Sequence, residues 1–332
     1  MSKTSHITFI ETLRAIAACS VLGFHFICFN NGIGDIYWNE KVKGIATYGA
    51  QGVEMFYVIS GFVITFALTR SGYKIIHYGK YVLKRVIRII PVFFMTILAI
   101  YSFEFFMAKI FWGYEMQLDY LNILANLTFT VDIWEGAKWI NPIFSTLGIE
   151  FQFYLIIGLL LPLFQYTAWM KYLILSVLLV LGICTIESQS VLVNMPYFAA
   201  GIIMHDIYTK NLIKLSYVFL GVLMIVLLRY YYLQDFITCG ITILLFLVIK
   251  PSFRVSNEIG EISYSLYLTH GFFGGWLLFF LSQEHYINLS PYLIIPLAFL
   301  ISLFGAKLFY ILFEKPSIKL GKKIRYKKTQ TN

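Results

Sequence analysis

The chain has 332 residues, 59% of them hydrophobic and 13% charged, with a formal net charge of +9. At about 20 residues per membrane-crossing helix, roughly 195 apolar residues allow about ten crossings with little left over. Soluble domains carry about 25% charged residues, so a cytosolic enzyme, a disordered protein and a secreted disulfide scaffold are excluded. Any chemistry must sit inside, or at the rim of, one helical membrane unit.

In chain order, apolar runs fall at 8–29, 45–69, 86–106, 142–165, 171–187, 191–208, 214–233, 236–250, 262–282 and 292–313. Only helices or closed barrels satisfy the backbone in lipid, and runs this long do not suit barrel strands, so each is read as a helix. The first is read as a retained helix rather than a cleaved signal, because Arg14 interrupts its apolar stretch. A weaker run at 120–131 contains Asn122 and Asn126. It is too short to cross comfortably and is expected to be a short external or re-entrant helix.

Charge sets the orientation. Segment 70–88 carries Arg70, Lys74, Lys80, Lys84, Arg85 and Arg88 with no acid, and the stretch after Glu314 is similarly basic. Both are expected on the cytoplasmic side. Segment 104–138 sets Glu104, Glu115, Asp119, Asp132 and Glu135 against Lys109 and Lys138, which reads as external throughout. The expectation is an all-α polytopic membrane protein of about ten spans with both termini cytoplasmic. It comprises a single unit over 1–320 and a basic tail over 321–332. Cytoplasmic loops account for the net charge, and no nucleic-acid partner is expected.

Cys19, Cys28, Cys184 and Cys239 all lie in apolar stretches and are expected to be buried thiols, with no zinc spacing or disulfide framework. No metal-ligand spacing, Gly-rich phosphate loop or Gly-x-Ser-x-Gly elbow is present. Asn126 and Asn288 head glycosylation sequons by pattern alone. The small-residue spacing Gly271 to Gly275 predicts close helix packing.

Ionisable residues inside spans are costly and therefore candidates for function. Arg14 and His25 lie eleven residues apart on the first span, about 16 Å of rise on one helix face. In the expected orientation Arg14 is near the cytoplasmic mouth and His25 in the outer third, at about the depth of Glu54 and Glu150. A carboxylate at that depth could orient the imidazole and raise its basicity, or each Glu could simply bond neighbouring helices. Arg85 and Arg88 open the third span just before Pro91. With Arg14 they could form a cationic mouth whose forks suit phosphate oxygens, or flank the membrane as ordinary basic residues. Glu11 is expected to pair with Arg14. Cys28, one turn after His25, is a weaker alternative nucleophile. These charges fit either an enzyme or a transporter of glycans or lipid-linked sugars.

Five local patterns occur together. They are Arg14 and His25 at the Arg-x10-His spacing, Gly52-Val-Glu-Met-Phe-Tyr-Val-Ile-Ser-Gly-Phe62, and Lys84-Arg85-Val-Ile-Arg88-Ile-Ile-Pro91. The fourth is Leu147-Gly-Ile-Glu150-Phe-Gln152-Phe-Tyr154, and the fifth Ile262-Ser-Tyr-Ser-Leu-Tyr-Leu-Thr-His270, with Phe313-Glu-Lys-Pro316 closing the set. In this order over residues 5–320 they resemble the acyltransferase type 3 family, with Lys84, Tyr57 and Gly148 standing where that family has Arg, Phe and Ser. The resemblance implies a stand-alone transmembrane O-acyltransferase of a bacterial inner membrane. Its donor would be cytoplasmic acyl-coenzyme A, most often acetyl-coenzyme A, used as a substrate rather than held as a permanent cofactor. Its acceptor would be a hydroxyl of an extracytoplasmic saccharide, such as O-antigen, capsule or a lipid-linked oligosaccharide. On this resemblance Arg14, Arg85 and Arg88 bind the coenzyme's phosphates, His25 is the general base, and Glu54 or Glu150 orients it or binds the sugar. Direct transfer is favoured over an acyl-enzyme.

Overall fold

A computed structural model describes residues 8–28, 39–113, 115, 117–188, 190–281 and 290–326. Every regular element among them is helical. The first half of the chain supplies α1 (Thr8–Cys28), α2 (Glu40–Thr47), α3 (Gly52–Arg70), α4 (Tyr78–Met107), α5 (Tyr120–Leu127) and α6 (Ile143–Phe164). The second half supplies α7 (Ala168–Cys184), α8 (Met195–Tyr208), α9 (Ile213–Tyr230), α10 (Leu233–Leu244) and α11 (Arg254–Glu261). It closes with α12 (Ser263–His270), α13 (Trp276–Leu281), α14 (Pro291–Phe309) and α15 (Lys315–Lys323).

All ten apolar runs are helical, but six helical stretches are both long and apolar enough to cross a membrane. The other four runs form α7, the 14-residue α8, α10 with its π-helical extension Leu245–Ile249, and the segmented α12–α13. The weak run at 120–131 yields only the eight residues of α5, about 12 Å of helix, far short of the hydrocarbon thickness. Asn126 in that helix is fully buried and its amide donates to Asn122 O and Lys138 O, both 2.9 Å away. That burial is incompatible with a glycan on its nitrogen; Asn288, Lys327 and Lys328 lie outside the described residues.

Lipid, unlike water, does not penalise exposed hydrocarbon, and exposure therefore separates rim from centre. Ile225 on α9 and Leu300 and Phe304 on α14 are largely exposed, as suits helices facing acyl chains. By contrast, Met195 through Asp206 of α8 are buried without interruption, the pattern of a helix enclosed on all sides. Its closest neighbour is α3. A Cβ on Gly61 would lie 2.2 Å from Phe198 O, and one on Gly201 would lie 2.1 Å from Val58 O. The two backbones therefore touch, which only glycine permits, as in other small-residue helix pairs.

The predicted close packing around Gly271 and Gly275 is present, but its contact residue is Gly274. A Cβ there would meet Phe26 Cζ and Ser302 Oγ at 2.4 Å each, whereas Gly275 has open space around it. A π-helical turn over Gly271–Gly275 changes the phase of the helix and moves the packing face by one residue.

The cysteines are free thiols of differing exposure: Cys239 is buried, Cys19 and Cys28 are intermediate, and Cys184 is exposed at the end of α7. The expectation of four buried thiols therefore holds only at Cys239; Cys19 and Cys28 are partly covered and Cys184 is open, because an apolar run need not be covered by other helices along its whole length.

Candidate active site

Two cavities lie along α1, one at each end of the Arg14–His25 interval. The first, of about 90 Å³, is lined by Arg14, by Arg88 of α4, by Ser60 of α3, by Glu150 and Tyr154 of α6, and by Tyr264 of α12. From α3, Val53, Phe56, Tyr57, Ile59, Ser60, Val63 and Ile64 line it, a broad stripe along one side of the helix. The Glu150 carboxylate accepts hydrogen bonds from the hydroxyls of Ser60 and Tyr154. Arg14 pairs with Glu11 at 3.6 Å, as the one-turn spacing predicts.

Arg85 does not line this cavity. It stacks against the rings of Tyr81 and Tyr154, 5.4 Å from each centroid, and so stands behind Tyr154. Lys84 is also directed elsewhere, with its ammonium 5.5 Å from the centroid of Tyr326. The cationic wall is therefore made by Arg14 and Arg88.

The second cavity, of about 620 Å³, is lined by His25, His270, Phe24, Asn141, Trp276 and Phe279 among others. His25 Nδ1 lies 2.8 Å from His270 Nε2, and the rings stack at 4.9 Å with 15° between planes. The other nitrogen of His270, Nδ1, lies 2.8 Å from Tyr267 O and 3.3 Å from Leu266 O. A carbonyl can only accept, so Nδ1 of His270 bears the proton and its Nε2 is the acceptor. His25 therefore donates through Nδ1, which leaves Nε2 as its basic nitrogen. This is the tautomer and orientation a general base needs.

The helix that carries this partner is itself anchored. Glu314, 1% exposed, accepts from Ser265 Oγ at 2.6 Å and Ser265 N at 3.3 Å. A carboxylate in the first turn of α12 satisfies open backbone N–H groups and favours the helix dipole. Tyr264 ties the same helix to α4 through a 3.1 Å bond to Ile89 O.

Glu54 lines neither cavity, and its Oε2 is buried without a hydrogen-bond partner among the described residues. Glu54 follows Val53 by one residue and is rotated off the cavity face. Cys28 directs its sulfur to Lys43 O at 3.7 Å. The hydrogen bond described for His25 is thus to a second histidine rather than to Glu54, Glu150 or Cys28. His270 was quoted above only as part of a motif. The available signal was a histidine three residues after Tyr267 within an apolar run, spaced to bond back to its own helix.

Where the chain departs from the resemblance, the packing gives a reason. At Gly148 a Cβ would come within 2.9 Å of the Trp139 ring, so the tryptophan occupies the space a serine would need.

The model of a family described as an acyltransferase domain matches residues 7–311, nearly the whole chain. Together with its long apolar helices, this makes the protein an integral membrane acyltransferase. Within that class, the chain belongs to the acyltransferase type 3 family. No curated protein and no solved structure matches it.

Proposed function

We propose that the protein transfers an acyl group, acetyl in the first instance, from cytoplasmic acyl-coenzyme A to a hydroxyl of a saccharide on the far side of a bacterial inner membrane. The observation that carries this reading is the meeting of the two cavities. Val53, Thr146 and Tyr267 line both, so the arginines and the histidine dyad lie at opposite ends of one path. In the proposed topology of ten crossings with cytoplasmic termini, the arginine cavity faces the cytoplasm. Residues 1–320 would act as one unit, with the basic segment 321–332 as its cytoplasmic tail.

Arg14 and Arg88 hold the phosphates, and Arg85 supports Tyr154 from behind. The narrow cavity suits a slender chain such as the pantetheine arm better than a heterocycle. The rise from Arg14 to His25 is about 16 Å, comparable to that arm, so the thioester arrives beside the dyad. His25 Nε2 removes the proton of the acceptor hydroxyl, the hydroxyl oxygen attacks the thioester carbon, and the coenzyme leaves as its thiol. Glu150 holds Ser60 and Tyr154 in the donor channel, and Glu54 is assigned to packing. The wide cavity, with Trp276 and Phe279 in its wall, takes the sugar.

Mass spectrometry of surface glycans tests the reading, using cells with the gene, cells without it, and cells carrying His25→Ala. The expected result is one acyl mass per repeat, absent from both the deletion and the variant at normal membrane levels. Unchanged acylation with missing surface glycan in the deletion would establish a transporter instead.

A further inference from the structure

The junction between the two cavities is a hydrogen-bonded pair, Thr146 Oγ1 and the Tyr267 hydroxyl, 2.7 Å apart. The direction of this bond follows from its neighbours. Thr146 Oγ1 donates its single proton to Ile143 O, also at 2.7 Å. Tyr267 must therefore be the donor in the pair and Thr146 the acceptor. The phenolic proton thus points to Thr146 Oγ1, at the boundary that both cavities share.

Tyr267 is also the residue that fixes the dyad, because its backbone oxygen receives His270 Nδ1. Its ring is held edge-on against Phe56, with centroids 5.7 Å apart. One residue therefore sets the tautomer of the base and presents a rigid O–H at the entrance to the base's cavity. Acyl transfer from a thioester needs such a donor. As the acceptor oxygen adds to the thioester carbon, the C=O π pair moves onto its oxygen, and that charge must be met inside a site sheltered from water.

We propose that Tyr267 is a catalytic residue whose hydroxyl, released from Thr146, donates to the thioester oxygen as the tetrahedral intermediate forms. The inference rests on the acyl-transfer reading above. In the first half-step the acceptor O–H proton goes to His25 Nε2, the C–O bond forms, and the oxyanion accepts the hydrogen bond from Tyr267, which keeps its proton. In the second the C=O reforms, the C–S bond breaks, and the departing thiolate takes the proton from His25. The products are an ester and free coenzyme, with no net change at Tyr267 or His25.

The test uses full-length protein in nanodiscs with acetyl-coenzyme A as donor, and surface polysaccharide purified from cells lacking the gene as acceptor. Free thiol release and acetylated polysaccharide are both read. Tyr267→Phe keeps the ring and its packing. It is expected to lower kcat by about 10²–10³-fold, with the KM for acetyl-coenzyme A within about threefold of wild type. Unchanged kcat in Tyr267→Phe, alongside an inactive His25→Ala, would overturn the proposal and leave the base assignment standing. A raised KM at unchanged kcat would also overturn it, since the hydroxyl would then only bind the arm. An active His25→Ala would instead remove the base assignment, and the Tyr267→Phe result would still be read on its own. Should Tyr267→Phe not reach the membrane, 3,5-difluorotyrosine placed at 267 decides. Its more acidic hydroxyl should move the alkaline limb of the kcat profile to lower pH, and an unmoved limb would refute the role.

Discussion

Two buried polar clusters in this molecule look alike by composition and differ in what they can do. In one, Lys171 of α7 places its ammonium 2.8 and 2.7 Å from the two oxygens of Asp206 on α8. The Tyr172 hydroxyl joins Asp206 at 3.2 Å and Ser216 Oγ at 2.8 Å. In the other, the Tyr267 carbonyl holds His270 and His270 holds His25, a residue that lines a 620 Å³ cavity. The first pairs Lys171 with Asp206, with His205 Nδ1 also 3.4 Å from that carboxylate, and it too lines a cavity, of about 330 Å³. Burial of charge alone would rank Lys171 and Asp206 above His25, so burial does not identify a site. A bordering cavity does not separate them either; the difference is that Lys171 and Asp206 are paired as ions, whereas the two histidines are joined ring to ring and set by a backbone carbonyl.

The sharpest test of the contrast is His25→Ala. It should lower acyl transfer by about 10²–10⁴-fold while leaving the thermal midpoint in detergent near wild type. Lys171→Ala should show the reverse behaviour. It strands a buried carboxylate, which typically costs about 3–5 kcal/mol, so membrane levels and thermal midpoint should fall. Turnover per surviving molecule should stay near the wild-type value. If Lys171→Ala protein were stable but inactive, the Lys171–Asp206 network would have to be part of the site.

Substitution at His270 probes the histidine pair from within. His270→Leu removes the acceptor for His25 Nδ1 and should cost about 10²-fold in kcat. That is less than the roughly 10⁴ lost when a serine protease's buried aspartate becomes an amide, since His270 contributes no charge. His270→Gln retains an acceptor oxygen and should recover part of the loss; equal activity in both variants would deny the orienting role. Gly201→Ala, where a Cβ would lie 2.1 Å from Val58 O, should destabilise by about 1–3 kcal/mol, read as a lower midpoint with kcat unchanged. The smallest effect is expected at the exposed Arg254–Glu258 pair, 3.3 Å apart. There Arg254→Ala should move stability by less than about 0.5 kcal/mol.

The sequence made the helices legible because lipid demands long apolar runs, and each run is a helix here. Arg14 and Arg88 were expected together and share one cavity, whereas Glu150, expected at the depth of His25, lines the arginine cavity instead. Counting residues from the end of a span gave a depth too coarse to separate the two cavities along α1. Depth without azimuth misplaced Glu54. It shares a layer with the site, but one residue of rotation from Val53 takes it off the cavity face. Arg85 fails similarly: one turn from Arg88, it is captured by the Tyr81 and Tyr154 rings. His270 was hidden by distance along the chain, 245 residues from its partner, and no local period links α1 to α12. The role of Glu314 was hidden too, since its target is a serine on a different helix.

The thin wall between the two cavities has a consequence for the cell's energy supply. On the proposed orientation, the cavities open towards opposite sides of a membrane that maintains a voltage. A continuous file of water between Arg14 and His25 would conduct protons. On that orientation the Thr146–Tyr267 bond would close such a file while the donor is absent, and the pantetheine arm would plug it while the donor is bound. An acyl group can then cross without any ion following it. Widening the aperture by Tyr267→Ala should be visible as a proton leak in sealed proteoliposomes under an imposed potential, before any substrate is added.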